Sequence, residues 1–190
     1  MGTLHLIIAP MYSGKSTYLL HELSADASIG LKTLYINHRL DTRSEDAFST
    51  HNPLIRLETK IKNMEFIKVD KLSSVDVSSF DVLALDEAQF HQDLYTTVQK
   101  WVEVNNKKVI VAGLDGDSNR NKFGQILDLI PICDTIVKLQ PYCKRCSMKT
   151  PRVLIKAPFT HRVAMSSETI LVGGCEYYQP VCRKCYLELN

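Results

Sequence analysis

Short apolar runs alternate with amphipathic segments along the first two thirds of the chain. Residues 4–8 are apolar except for His5, and such a short run is typical of a strand buried on both faces of a sheet. Leu19 and Leu23 follow at helical spacing, and Gly30 is suited to end that helix. The sequence of residues 33–37 predicts a second strand. The pattern therefore indicates a β-α-β unit at the N-terminus.

This alternation continues to about residue 140. A strand is predicted over residues 80–85, a helix over 94–102, a strand over 108–112, a short helix over 123–130 and a last core strand over 135–139. A parallel sheet requires such alternation, because each strand must be followed by a crossover that returns along the sheet. The expected fold class is therefore α/β, with a parallel sheet flanked by helices.

The character of the chain changes after Pro141. Two Cys-x-x-Cys pairs, several prolines and a basic stretch replace the alternation, and one clear strand is predicted over residues 168–172. We therefore predict two domains, an α/β domain over residues 1–140 and a small second domain over residues 141–190.

Composition and charge narrow the class of protein. The chain has 190 residues, of which 45% are hydrophobic and 23% are charged, which is the balance of a globular protein with one good core. Lys and Arg number 23 against 21 Asp and Glu, so we expect no nucleic-acid partner and no membrane partner. The first apolar run is too short to span a bilayer and lacks a basic leader, so we expect a cytoplasmic protein.

A phosphate-binding loop is predicted between the first strand and the first helix. The segment APMYSGKS, residues 9–16, matches the G-x-x-x-x-G-K-[ST] pattern at every position except the first. The amide groups of such a loop, with the N-terminus of the following helix, bind phosphate oxygens. Lys15 would neutralise the β and γ phosphates, and Ser16 could coordinate Mg²⁺. The predicted ATP contacts are Ala9, Pro10, Met11, Tyr12, Ser13, Gly14, Lys15 and Ser16.

Two acidic residues follow the strand predicted at residues 80–85. The carboxyl ends of parallel strands face the nucleotide crevice, so Asp86 would hold Mg²⁺ directly or through water. Glu87 lies one residue further on, and its carboxylate could accept the proton of an attacking hydroxyl. The alternative is that the two acids only cap the next helix. Beside a phosphate-binding loop, the pair favours a kinase with Glu87 as its general base.

Four of the six cysteines form two Cys-x-x-Cys pairs. Two such pairs supply four thiolates to a tetrahedral Zn²⁺, which is the closed kind of structural site. The alternatives are a redox pair, which lacks its usual βαβ context here, and free thiols. The spacing favours one structural Zn²⁺ per chain. Its predicted ligands are Cys143, Cys146, Cys182 and Cys185.

Several short strings, in their order and spacing, carry a resemblance to one family. They include PMYSGKST at residues 10–17, DTR at 41–43, DEAQF at 86–90, GLDGDSNRNKFG at 113–124 and LVGGCEYY at 171–178. The chain resembles the thymidine kinases of the cellular and poxvirus type over nearly its whole length. This resemblance implies a RecA-like P-loop fold for residues 1–140 and a zinc-bearing lasso domain for residues 141–190.

The resemblance also implies a reaction and its partners. The γ-phosphoryl group of ATP, with Mg²⁺, would pass to the 5′-hydroxyl of thymidine or deoxyuridine, a step of deoxynucleotide salvage and DNA precursor synthesis. On this mapping Glu87 is similar to the family's general base. The resemblance further implies a homotetramer with structural Zn²⁺, and it raises feedback by thymidine triphosphate.

Binding residues follow from the same resemblance. Beyond residues 9–16, the implied ATP and Mg²⁺ contacts are Asp41, Thr42, Arg43, Asp86, Glu87, Ala88 and Gln89. Arg43 would offset charge on the transferring group. The implied walls of the thymine pocket are Met11, Phe90 and Leu114. The implied lasso contacts, largely through backbone groups, are Thr169, Ile170, Leu171, Val172, Gly173 and Tyr178.

The main departures from the family pattern are at three positions, and Thr169 and Leu171 differ more mildly from the valines common there. Ala9 replaces the leading glycine of the loop, and His91 replaces the second phenylalanine usual after DEAQF. Ser118 replaces an aromatic residue that contacts substrate in the family, so that contact is not carried over. A deoxynucleoside kinase of broader specificity is therefore one alternative. A non-catalytic nucleotide-binding zinc protein, which would need no base at Glu87, is another.

Overall fold

The computed structural model describes residues 1–41, 62–150, 152, 154–163, 173 and 176–189. In chain order, their strands and helices are β1 (Thr3–Ile8), α1 (Lys15–Ser28), β2 (Thr33–His38), β3 (Met64–Val69), β4 (Val82–Leu85), α2 (Leu94–Glu103), β5 (Lys108–Gly113), β6 (Thr135–Lys138), α3 (Lys144–Lys149), β7 (Phe159–Arg162), β8 (Tyr178–Val181) and α4 (Arg183–Leu189). Short 3-10 segments lie at Leu72–Ser74, Ala88–Phe90 and Ile126–Ile132. Among the described helices, none has the length and apolar character needed to cross a membrane.

Six strands of the described ranges form one parallel sheet, in the order β3-β2-β4-β5-β1-β6. Every residue of β2 and β4 is buried, which is typical of interior strands in a parallel sheet covered on both faces. The apolar side of α1 packs on one face of the sheet and that of α2 packs on the other. The predicted α/β fold class, with a parallel sheet flanked by helices, is confirmed.

Two glycines set the ends of helix α1, where the sequence predicted them. The helix begins directly after Gly14, and Gly30 follows its last turn. Their φ angles are 83° and 96°, a conformation that a side chain makes costly. Between them, Leu19 and Leu23 are fully buried against the sheet, and burying each contributes about 1.5–3 kcal/mol. The helix is therefore held by its packed face and stopped by its glycines.

Strand β6 lies at the edge of the sheet, which corrects the predicted last core strand at residues 135–139. Within the described part of the chain it pairs only with β1, and three of its four residues are exposed. Ile136 keeps 44% of its surface accessible. The apolar residues of this segment predicted burial, but an edge strand has one neighbour and is covered less completely.

Two further elements differ from the sequence predictions. The short helix expected over residues 123–130 is the 3-10 segment Ile126–Ile132, which contains Pro131. Proline has no amide hydrogen to donate, so it does not sustain a regular α-helix. The sequence did not predict β3, because its residues MEFIKV mix charged and apolar types at the opposite sheet edge. The strand predicted at residues 168–172 lies outside the described residues.

The C-terminal part of the chain has a small apolar core of its own. Strands β7 and β8 form an antiparallel pair, which is separate from the large sheet. The core residues are Cys143, Ala157, Val181, Cys182, Cys185 and Tyr186. The predicted division into domains at residues 1–140 and 141–190 stays a prediction.

Candidate active site

The predicted ATP and Mg²⁺ contacts that the structure describes lie at the carboxyl ends of the parallel strands. The phosphate-binding loop follows β1, the acidic pair follows β4, and Asp41 follows β2. Strand β5 lies between β1 and β4, so two strand spacings, about 10 Å, separate the axes of β1 and β4. This edge is where parallel α/β sheets bind ligands.

The loop at residues 9–16 has a backbone shaped for close approach of a ligand. Ala9 is fully buried, and its amide donates to the Gly113 carbonyl at 3.3 Å. Tyr12 and Gly14 both have positive φ, at 64° and 83°. The Ser13 hydroxyl oxygen is buried without a hydrogen-bond partner among the described groups. An orphaned buried hydroxyl is costly, and a phosphate oxygen would satisfy it.

Lys15 and Ser16 open helix α1 at the same loop. Lys15 is only 7% exposed to solvent, and its ammonium donates to the Pro10 carbonyl at 2.9 Å. Ser16 is half-buried in the first helical turn. The N-terminus of this helix presents amide groups and a partial positive charge to the loop. Together, these groups fit the polyphosphate of a nucleotide.

Asp86 is fully buried at the end of β4 and is held in one orientation. One carboxylate oxygen accepts from the Tyr35 hydroxyl at 2.6 Å, and the other accepts from the Glu87 amide at 2.9 Å. Burial raises the pKa of Tyr35 well above its usual value, and the charge of Asp86 adds to the shift. The phenol therefore stays protonated and donates, a support for Asp86 that the sequence did not reveal.

Glu87 has a left-handed backbone and a carboxylate fixed by Gln89. Its φ is 50°, which is uncommon for a residue with a side chain and occurs often at functional sites. The side chain is buried, and its Oε2 atom accepts from Gln89 Nε2 at 2.6 Å. The side-chain oxygen Oε1 of Gln89 accepts from the Leu114 amide at 2.9 Å. Gln89 thus links the candidate base to the loop after β5.

Asp41 is 2% exposed and is fixed by two residues that the sequence did not single out. Its carboxylate accepts from the Asn37 side-chain amide at 2.9 Å, and its carbonyl accepts from the Lys68 ammonium at 2.9 Å. Lys68 lies on β3, the strand that was not predicted. Thr42 and Arg43 lie outside the described residues.

The residues expected around the nucleoside lie on both parts of the chain. Phe90 is half-buried in the 3-10 segment after Glu87, with its ring centroid 5.7 Å from that of Phe123. The Met11 amide donates to the Thr160 hydroxyl on β7 at 3.0 Å, a contact that no sequence motif indicated. Tyr178 is buried on β8, where its hydroxyl accepts from Arg162 at 3.1 Å.

The lasso contacts implied by the resemblance are described only in part. A methyl group added at Gly173 would lie 2.1 Å from the Tyr177 ring, so this position has no room for a side chain. The implied contacts outside the described residues are Thr169, Ile170, Leu171 and Val172.

His91, which replaces a phenylalanine of the family pattern, lies in the core behind Phe90. It is 1% exposed, and its ring centroid is 4.6 Å from that of His38. Burial lowers the pKa of His91 to about 4, and the neighbouring His38 adds to this lowering, while Asp70 and Asp93 oppose it. The folded protein therefore keeps this imidazole neutral near pH 7.

We expect His91→Phe to reduce the loss of stability in mild acid. The unfolded chain protonates His91 near pH 6.5 and the folded chain near pH 4, so stability falls as pH decreases between these values. This residue contributes about 2 kcal/mol of that fall between pH 7 and pH 5. Urea unfolding at both pH values measures it. His21→Gln, at an exposed histidine, is the control, and equal slopes for wild type and His91→Phe would contradict the prediction.

The four paired cysteines meet at one point of the C-terminal part. The sulfur atoms of Cys143, Cys146, Cys182 and Cys185 all lie within 4.8 Å of one another. Cys146 Sγ is 3.8 Å from that of Cys182 and 3.5 Å from that of Cys185. A tetrahedral site with Zn–S bonds near 2.3 Å separates its sulfur atoms by about 3.8 Å. The arrangement therefore fits Zn²⁺ as the sequence predicted.

We expect fresh protein to contain about one Zn²⁺ per chain and Cys185→Ser to lose it. Because the metal would link three buried ligands and one half-buried ligand, the substitution should lower Tm by roughly 10 °C. Metal analysis by mass spectrometry and thermal unfolding measure the two effects. Cys133→Ser, outside the cluster, should keep the metal. Fresh wild-type protein without zinc would contradict the assignment.

Comparison with known proteins gives one consistent family. The family model described as thymidine kinase matches residues 2–186. A protein named thymidine kinase a, from Arabidopsis thaliana, is 39% identical over 191 residues, which cover 98% of this chain and 75% of the plant protein. A thymidine kinase of Oryza sativa subsp. japonica is 36% identical and covers 98% of this chain and 67% of its own. One from variola virus is 34% identical, with 98% of each chain covered.

Proposed function

The chain belongs to the thymidine kinase family, and from this membership we propose that it transfers the γ-phosphoryl group of ATP to the 5′-hydroxyl of thymidine or deoxyuridine. The observation that carries the proposal is the carboxylate of Glu87. It is buried, oriented by Gln89 and located at the sheet edge that bears the phosphate-binding loop. A protein that only bound nucleotides would need no oriented base there.

The loop after β1 would bind the ATP phosphates. The ammonium of Lys15 and the hydroxyl of Ser13 supply a charge and a hydrogen bond, and the start of α1 adds its amides. Ser16 and Asp86 are the residues that would hold Mg²⁺, directly or through water. Mg²⁺, when bound, neutralises charge on the β and γ phosphates. Asp41 would complete the ATP and Mg²⁺ contacts, together with Thr42 and Arg43, which are assigned by resemblance alone.

Glu87 would act as the general base. The nucleoside hydroxyl oxygen forms a bond to the γ-phosphorus, and the bond from that phosphorus to the bridging oxygen of ADP breaks. The hydroxyl proton moves to the Glu87 carboxylate and then to solvent. Since phosphoryl transfer depends chiefly on positioning and charge, the hydrogen bond from Gln89 would keep the carboxylate aimed at the hydroxyl.

The nucleoside base would lie among apolar walls. We assign these walls to Met11, Phe90 and Leu114, which would favour a 5-methyl group by only ~1–3 kcal/mol. Tyr178 and Gly173, with residues 169–172 by resemblance, would contact the base from the C-terminal part. The modest selectivity of an apolar wall is compatible with use of both thymidine and deoxyuridine.

Three further expectations accompany this function. By resemblance we propose a homotetramer, which sedimentation velocity tests, and a cytoplasmic location. Feedback by thymidine triphosphate would appear as inhibition that thymidine relieves. The structural Zn²⁺ is a part of the proposed enzyme and takes no part in the transfer, because four cysteine ligands would leave no open coordination position.

One experiment tests the proposed function directly. The protein is incubated with γ-labelled ATP, Mg²⁺ and, separately, each of the four deoxynucleosides and deoxyuridine, and labelled 5′-monophosphates are identified by chromatography. We expect thymidine and deoxyuridine to be labelled. Comparable labelling of deoxycytidine or the purines would favour the broader kinase that Ser118 leaves open. No labelled product with any nucleoside would contradict the proposal.

A further inference from the structure

A compact hairpin follows β5 between the two parts of the chain. We call residues 116–122 the hairpin loop; its ends pair through a bridge between Gly116 and Lys122. The Asp117 carboxylate accepts from the amides of Asn119 and Asn121 at 2.9 and 2.8 Å. These bonds satisfy the turn internally, so the loop should move as one unit.

The C-terminal part of the chain contacts the hairpin loop at Ser118 and Arg120. The Tyr186 hydroxyl donates to the Ser118 carbonyl at 2.8 Å. The Arg120 guanidinium lies 4.4 Å from the centroid of the Tyr186 ring and 5.6 Å from that of Phe159. Both rings pack together at 5.4 Å, and Tyr186 is 4% exposed. We call these contacts of Arg120 and Tyr186 with the hairpin loop and the aromatic rings the clamp. Because Tyr186 directly follows Cys185 in the chain, the clamp connects the hairpin loop to the cysteine cluster.

The residues that directly precede the hairpin loop are connected to the candidate site. Leu114, an expected pocket wall, donates its amide to Gln89, which in turn holds Glu87. Asp115 forms an ion pair with Lys138 at 2.6 Å. A displacement of the hairpin loop would therefore act on Leu114 first, and the apolar wall would shift before the phosphate-binding loop does.

We propose that Arg120 and Tyr186 are positioning residues of the phosphoryl-transfer reaction, which fix Leu114 at the nucleoside pocket by clamping the hairpin loop to the cysteine cluster. The inference rests on the proposed function for its meaning in catalysis. It predicts that weakening the clamp impairs nucleoside binding much more than ATP binding. A purely structural role predicts that the KM values for thymidine and for ATP both stay unchanged, because one exposed cation–π contact contributes little to stability.

The test compares Arg120→Gln with a closely matched control. Arg120 and Arg152 are both exposed arginines with left-handed backbones, at φ of 67° and 68°, so Arg152→Gln makes the same chemical change at a residue outside the hairpin loop. We expect Arg120→Gln to raise the KM for thymidine ~10-fold, with KM for ATP and zinc content unchanged. Arg120→Lys should recover most of the affinity, since it keeps a cation over the ring. Arg152→Gln should behave as wild type.

Tyr186→Phe provides a second variant that conserves the packed ring. It removes the hydroxyl that donates to the Ser118 carbonyl, and we expect KM for thymidine to rise about 3-fold, which is the lower end of what one hydrogen bond contributes. In both variants, amide hydrogen exchange of residues 117–121 should be faster than in wild type at full zinc content. Unchanged exchange would overturn the clamp.

The kinetic measurements and the exchange measurements test different parts of the proposal. Faster exchange together with an unchanged KM for thymidine would overturn the positioning role. A wild-type protein that phosphorylates no deoxynucleoside would remove the proposed function, whereas exchange of the hairpin loop would still report whether the clamp exists. A rise in KM accompanied by loss of zinc would also overturn the proposal, since the effect would then arise from the metal site.

Discussion

Lys15→Ala is expected to lower kcat/KM for phosphoryl transfer by ~10³-fold or more, leaving almost no activity. Lys15 is 7% exposed, and its ammonium donates to the Pro10 carbonyl at 2.9 Å. An ordered charge in a desolvated loop opposes the negative charge of the transferring group far better than a mobile surface lysine does. Steady-state assays with varied ATP measure the loss.

Two companion variants separate charge from folding. Lys15→Met keeps most of the side-chain volume and should be as inactive as the alanine variant, because the missing property is the charge. Lys100→Ala, at an exposed position of α2, should retain wild-type activity. If Lys15→Ala kept more than a few per cent of activity with an unchanged Tm, the loop would not be the phosphate-binding site.

Glu87→Gln is expected to lower kcat by about 10²–10⁴-fold with a small effect on KM for ATP. Glutamine keeps the length of the side chain and can still accept from Gln89 Nε2, which lies 2.6 Å from the carboxylate. The amide cannot take up the hydroxyl proton at neutral pH. The substitution therefore removes proton transfer while leaving the local packing in place.

The matched control is Glu103→Gln, which makes the same change at an exposed residue of α2 and should leave kcat unaltered. Single-turnover measurements at saturating ATP and thymidine would show whether the chemical step has slowed. Turnover of Glu87→Gln at the wild-type rate would exclude Glu87 as the general base.

Much of the fold followed from local patterns in the sequence. The buried run at residues 4–8, the helical spacing of Leu19 and Leu23 and the glycines at 14 and 30 predicted a β-α-β unit that the structure confirms. Spacing of the cysteines predicted the four-sulfur cluster. These features depend on neighbours in the chain, so the sequence itself records them.

Features that depend on distant partners escaped prediction. How far β6 is buried depends on whether another element covers the edge that does not pair with β1, and the sequence of β6 does not show this. The bonds from Tyr35 to Asp86 and from Met11 to Thr160 join residues far apart in the chain, with no local pattern to announce them. The family resemblance placed Gln89 among the nucleotide contacts. Its described hydrogen bonds join Glu87 to the loop after β5.

The insertion of β5 between β1 and β4 has a consequence for how the protein can vary. The separation of the donor-binding turn from the catalytic acid is set by main-chain pairing across one intervening strand, and side chains contribute little to it. Substitutions in the surrounding loops can therefore alter which acceptor enters while the spacing between the donor-binding turn and the catalytic acid stays constant. Changes of preference within such a scaffold need not disturb its chemistry.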